Sequence, residues 1–228
     1  MRDYLPLLLE IRKRILIILS VFIAATVFGA IFYEKIVVIF LSLLSLKGAT
    51  IIFTSPFEYM NLAFNSGFII GIIVTLPLLV YQAAAFLKPA MTAHEFSIFK
   101  KTIPLSIILF LAGFCVGFVM MKYVGQLSYQ TSLELGISSY LNISKLLSTV
   151  LLTSSLMGIA FQFPIVLTIL IRLKIISYKF IAGKRPLAYI IVIVFASLMP
   201  PTDILSLVLL ALPLVILYEL VLFFSKKF

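Results

Sequence analysis

Apolar runs, each close to the roughly 20 residues a helix needs to cross hydrocarbon, recur along this chain between charged residues and dictate its solvent. Six segments emerge: Ile15 to Phe32, Leu62 to Phe86, Thr102 to Met121, Leu146 to Ile171, Leu187 to Leu198 and Ile204 to Phe224. Hydrophobic residues make up 63% of the 228 and charged residues 11%, with a mean hydropathy of +1.25. A water-soluble globule of this size would have more apolar surface than its core could cover. The segments must be helices, because an open sheet edge in lipid leaves costly unpaired backbone groups, and the period-2 alternation of a lipid-facing barrel is absent. The expected fold is an all-α integral membrane protein: one polytopic domain over residues 1–228 with six transmembrane helices.

The fifth segment is short. Its 12 residues, stopped by Pro200 and Pro201, cover about 18 Å of a roughly 30 Å core. It either borrows Ala182 to Pro186 or meets a thinned bilayer. Orientation follows from the bases. With the N terminus inside, the inner pieces carry 14 of the 18 Lys and Arg, and the outer face keeps Lys35, Lys47, Lys122 and Lys145. This asymmetry predicts N-in and C-in. Ile15 to Phe32 is too long for the apolar core of a cleaved leader and reads as a retained span.

Two outer connections are long. Ile36 to Leu46 is apolar but too short to cross, so it should form an interfacial or cap-like helix. Lys122 to Lys145 reads as a loop with Tyr123, Tyr129 and Tyr140 at the membrane surface. No internal repeat is visible, which disfavours an inverted-repeat transporter.

Catalytic signatures are scarce. One histidine, His94, cannot assemble a zinc site, and there is no G-x-S-x-G or P-loop. The one cysteine, Cys115, excludes an intramolecular disulfide and a cysteine cluster. No metal, cofactor or nucleic-acid partner is expected, and the chain does not read as an enzyme. Gly67/Gly71 and Gly113/Gly117 let helix backbones approach, chiefly within the chain. Pro77, Pro104, Pro164 and Pro213 permit kinks that would curve the bundle into a concave wall.

Polar residues carry more information. Gln162 lies deep in the fourth segment and must face protein or a recess, as interhelical glue or as part of a functional site. Glu219, in the sixth, needs protonation or a basic neighbour. At the inner face Glu10 can pair with Arg14 one helical turn on. Alternatively Glu10 and Glu95 can accept bidentate bonds from guanidinium groups on a partner.

A series of motifs resembles the twin-arginine translocase subunit family TatC. These are Leu8-Leu9-Glu10-Ile11-Arg12-Lys13-Arg14-Ile15; Ser55-Pro56-Phe57-Glu58; Tyr81-Gln82 with Phe86, Pro89-Ala90-Met91 and Glu95; Lys184-Arg185-Pro186; Pro200-Pro201-Thr202-Asp203; and Ala211-Leu212-Pro213 with Leu217-Tyr218-Glu219. They cover nearly the whole chain in order. The chain departs from the family pattern near its N terminus, where Leu8 opens the stretch and the family's histidine is not found, and at Gln162 (a glutamate) and Leu207 (a glutamine). The resemblance implies a cupped bundle with short fifth and sixth spans in the cell inner membrane. It implies a receptor for the twin-arginine signal peptides of folded cargo, in a hetero-oligomer with TatA and TatB type single-span subunits that exports proteins on the proton gradient. It places signal-peptide binding at Glu10, Arg12, Arg14, Phe86, Pro89 and Glu95. Gln162 and Glu219 become intramembrane polar positions, and Pro200, Pro201 and Asp203 the turn beside which partner helices dock. The alternatives are a small secondary transporter or channel, which needs intramembrane charges or broken helices, and a structural scaffold without a ligand.

Overall fold

The computed structural model describes residues 5–44, 50–52, 57–87, 93–134, 140–172 and 175–226, without the side chains of residues 5–7, 41, 50–52, 84, 87, 93–102, 132–133, 140–141 and 143. The helices are α1 (Leu5–Ile31), α2 (Tyr33–Leu44), α3 (Glu58–Leu87), α4 (Ala93–Glu134), α5 (Ile143–Ala160), α6 (Phe163–Arg172), α7 (Tyr178–Gly183), α8 (Arg185–Ser197) and α9 (Ile204–Ser225). Among the described residues five apolar stretches are long enough to cross a membrane, at 8–31, 58–83, 103–131, 144–172 and 204–225, and α8 is a shorter apolar helix. The protein is a nearly all-helical, multi-pass membrane protein.

Three features differ from the sequence expectation. The segment after Met121 is helical to Glu134 rather than a loop. Lys122 ends the apolar run but not the helix, since no residue from Lys122 to Glu134 is proline and Gly125 alone is tolerated. The fourth apolar segment is two helices, broken at Phe161-Gln162. Pro164 has no N–H for the Ala160 carbonyl and its ring crowds that turn. The chain instead closes with Gln162 N donating to the Ile159 carbonyl at 2.9 Å, and α6 restarts as Ile165 N donates to the Gln162 carbonyl at 3.0 Å. Third, β1 (Thr50–Ile52) and β2 (Tyr140–Asn142) form a two-stranded parallel pair, a length too short to show in the hydropathy pattern.

Small residues set the two closest helix pairs. α1 lies along α3, where Gly67 faces the Thr26 carbonyl and Ala30, and Gly71 faces Thr26 and Phe22. α4 lies along α5: a Cβ on Gly113 would sit 2.6 Å from Phe161 Cγ, and one on Gly117 2.8 Å from Ser154 Cα. Both G-x-x-x-G pairs therefore serve packing within the chain.

The end of the bundle where α1 starts is called proximal below, and the other end distal. The distal end is capped. α2 buries Val37 and Leu44 against Leu62, Met121, Leu147 and Val150 of α3, α4 and α5, and Lys122 Nζ donates to the Leu43 carbonyl at 2.7 Å. Beside it Asn142 Nδ2 donates to Glu58 Oε1 at 2.6 Å and Asn142 Oδ1 caps α5 by accepting from Lys145 N at 2.8 Å.

The α8–α9 hairpin is shorter than its neighbours. α8 has 13 residues, about 20 Å by helical rise, and takes only Arg185 and Pro186 from the preceding loop. Its turn therefore meets the middle of α5: the Thr153 hydroxyl donates to the Pro200 carbonyl, about 15 Å along α5 from its start. The Pro200–Pro201 bond is cis. Asp203 caps α9, its Oδ2 accepting from Ser206 N at 2.9 Å. Burial pushes the Asp203 carboxyl up, but hydrogen bonding by Ser206 outweighs it, and the group titrates below its ordinary range.

Candidate functional site

Helical periodicity splits the basic motif of α1. Glu10 and Arg14, four apart, share one face. Arg14 Nη2 and Nε both reach Glu10 Oε1, at 2.6 and 3.1 Å, while its Nη1 donates to Gln82 Oε1 at 2.7 Å and more weakly to the Gln82 carbonyl at 3.4 Å. One guanidinium thus ties α1 to α3 and holds the carboxylate in one orientation. The Arg14 side chain is 21% exposed and that of Glu10 42%, so the carboxylate stays reachable where the guanidinium is covered. Glu10 Oε2 accepts no hydrogen bond from a described residue, leaving one charge-assisted acceptor open. The half-buried Phe86 lies one turn beyond Gln82 on α3. Glu95 falls in the first turn of α4, with its side chain outside the described residues, as is all of Pro89. Arg12, grouped with Glu10 by the motif, is not brought to it: two residues on is about 200° round the helix, and Arg12 is exposed beside Leu9 and Leu16.

Behind Glu10 and Arg14 runs a concave groove of about 520 Å³. Its walls are Ile15, Ile18, Leu19 and Phe22 of α1, the Ile72 to Ala83 face of α3, and Ile159, Gln162, Ile165 and Val166 of the broken fourth segment. Among the described residues only Thr75 and Gln162 bring polar side chains to it. Gln162 is saturated by protein: its Oε1 accepts from the Ser106 hydroxyl at 2.6 Å, and its Nε2 donates to the Ser106 carbonyl at 3.1 Å and the Gly158 carbonyl at 3.4 Å. Ser106 is fully buried. Gln162 thus joins α4 to the broken fourth segment at the edge of a recess. Thr75 Oγ1 is buried and meets no partner among the described residues.

Glu219 has the basic neighbour its depth demands. Arg185 grips it through Nε to Oε1 at 3.1 Å and Nη2 to Oε2 at 3.2 Å, and the Tyr189 hydroxyl donates to Oε1 at 2.6 Å, joining α8 to α9. Nearby the buried Tyr218 hydroxyl donates to the Ile181 carbonyl of α7 at 2.8 Å. Ser106, Thr75 and Tyr189 escaped the sequence reading. Serine and threonine inside apolar runs usually back-bond to their own helix, as Ser154 and Ser155 do here, and nothing local marks the exceptions.

Residues 6–213 match the family model for TatC, the Sec-independent protein translocase protein. The Bacillus subtilis Sec-independent protein translocase protein TatCy is 31% identical over 95% of this chain and 86% of its own length. TatC of Carboxydothermus hydrogenoformans is 32% identical over 96% of this chain and 90% of its own. Two crystal structures of a twin arginine translocase receptor, TatC, one of them in DDM, superpose with TM-scores of 0.79 and 0.83 at 28% identity, over 96% of this chain and 98% of theirs. The fold is thus shared with solved relatives, and the chain belongs to the TatC family of Sec-independent protein translocase proteins.

Proposed function

We propose that this chain is the receptor for twin-arginine signal peptides in a translocase for folded proteins, seated in the inner membrane with both termini inside. The proximal face carries the recognition site. An arginine pair brings two planar forks of N–H donors, and the open Glu10 Oε2, held in place by the Arg14 to Gln82 clamp, supports this reading more than any other single observation. Glu95 supplies the second carboxylate, while Phe86 and Pro89 shape the apolar surface beside it. The signal's apolar stretch then follows α1 into the groove, which starts at Ile15, one residue past Arg14. Partner helices of TatA and TatB type dock near Pro200, Pro201 and Asp203, forming a hetero-oligomer. A transporter or channel would place an ionisable group in the groove, and its polar lining side chains, Thr75 and Gln162, are neutral.

The test is photo-cross-linking of an Arg-Arg signal peptide to the full chain in nanodiscs. Charge-assisted hydrogen bonds contribute roughly 1.5–3 kcal/mol each, so Glu10→Gln and Glu95→Gln should each weaken peptide affinity by about 10-fold or more, and a Lys-Lys peptide should bind worse than Arg-Arg. Unchanged capture in both single variants and in the double rejects the site.

A further inference from the structure

We infer that the outward stripe of α1 binds the headgroup of an anionic phospholipid through Arg12 and Lys13. The two cations are exposed and make no ion pair or hydrogen bond with any described residue, unlike Arg14. They line a shallow recess with Leu9, Leu16, Ile17 and Ser20, positions spaced 3, 4, 7, 8 and 11 along the helix and so on a single face. That face is apolar on both sides of the cations: Leu9 is 54% exposed and Leu16 52%, in a helix whose spanning window is only 6% buried. A stripe of this kind lies against lipid, and its charges sit one turn before the apolar span starts at Ile15, at headgroup depth. Charge complementarity selects the occupant. A phosphate with a net negative lipid behind it satisfies both cations while its chains cover Leu16 and Ile17. An acidic protein segment would satisfy the cations but leave the apolar flank to other contacts.

This inference is independent of the signal-peptide contacts proposed at Glu10 and Arg14, whose face centres about 100° round α1 from the middle of this stripe. It is tested with a photo-cross-linking residue at Leu16 in the full chain, reconstituted in vesicles of equimolar phosphatidylglycerol and phosphatidylcholine, with adducts identified by mass spectrometry. Each basic residue at an anionic surface favours it by a factor of about five, so the glycerol lipid should be captured roughly 10- to 30-fold over the choline lipid. Arg12→Gln with Lys13→Gln should reduce that ratio to near one, and the charge-preserving Arg12→Lys with Lys13→Arg should retain it, which separates loss of the site from misfolding. A ratio near one in the unaltered chain, an undiminished ratio in the Gln variant, or adducts to protein instead of lipid overturns the assignment.

Discussion

The link between Gln162 and Ser106 offers the sharpest test of how this bundle is held together. Two bonds join the residues, the Ser106 hydroxyl to Gln162 Oε1 at 2.6 Å and Gln162 Nε2 to the Ser106 carbonyl at 3.1 Å. Interhelical side-chain hydrogen bonds in membranes average about 0.6 kcal/mol and reach about 1.7. Only the hydroxyl bond is lost in both single variants, because the Ser106 carbonyl survives in Ser106→Ala, so the positions should couple by about 0.6 kcal/mol. Ser106→Ala removes the hydroxyl and Gln162→Leu removes the amide with little change of volume. In a reversible unfolding assay in mixed micelles, the double variant should be about 0.6 kcal/mol more stable than the sum of the two single losses. Ser155, whose hydroxyl bonds Leu151 of its own helix at 2.8 Å, provides the control: Ser155→Ala with Gln162→Leu should be additive. Additivity within about 0.3 kcal/mol for Ser106 with Gln162 would refute the claim that this contact pins α4 to the broken fourth segment.

Gly113→Val should cost about 1–3 kcal/mol through overpacking against Phe161, seen as a lowered melting temperature, while Gly125→Ala, inside α4 with open space around it, should stabilise by about 0.5–1 kcal/mol. Glu219→Gln should cost 1 kcal/mol or less, given that Arg185 and Glu219 are 47% and 39% exposed, and exchanging the pair as Arg185→Glu with Glu219→Arg should recover part of it, measured by the same unfolding assay. Asp203→Ala should lose about 1 kcal/mol with the cap of α9. Because the folded carboxyl titrates below its ordinary value, that contribution is present above the unfolded carboxylate range and disappears as pH falls through the depressed folded value. The gap between the parent chain and Asp203→Ala should close on acidification, and a gap that persists at the acid end refutes the titration.

Much of the candidate site was legible because its residues break a local pattern. Glu10 stands out among inward bases, Gln162 in an apolar run and Glu219 near the end of one. The partners were less visible. That Arg14 would turn to Gln82, 68 residues away, while Arg12 turned to the opposite side, depends on how α1 is rotated against α3. The spacing of Glu10 and Arg14 allowed their ion pair, but only the packed helices show that it leaves one carboxylate oxygen without a donor among the described residues. The end of α4 was misread for a different reason: hydropathy marks where lipid contact stops, and a helix stops only where backbone hydrogen bonding does.

The amino-acid order alone determined the solvent and the secondary structure, since unpaired backbone groups are so costly in hydrocarbon that an apolar run of spanning length has only the helix open to it. It also marked where helices could approach, through Gly67, Gly71, Gly113 and Gly117. The tertiary structure alone decided which side of each helix faces protein. Lipid is as apolar as leucine, so no hydrophobic force chooses that side. It is chosen by contacts between residues far apart in the chain, as between Ser106 and Gln162, Arg185 and Glu219, and Thr153 and Pro200.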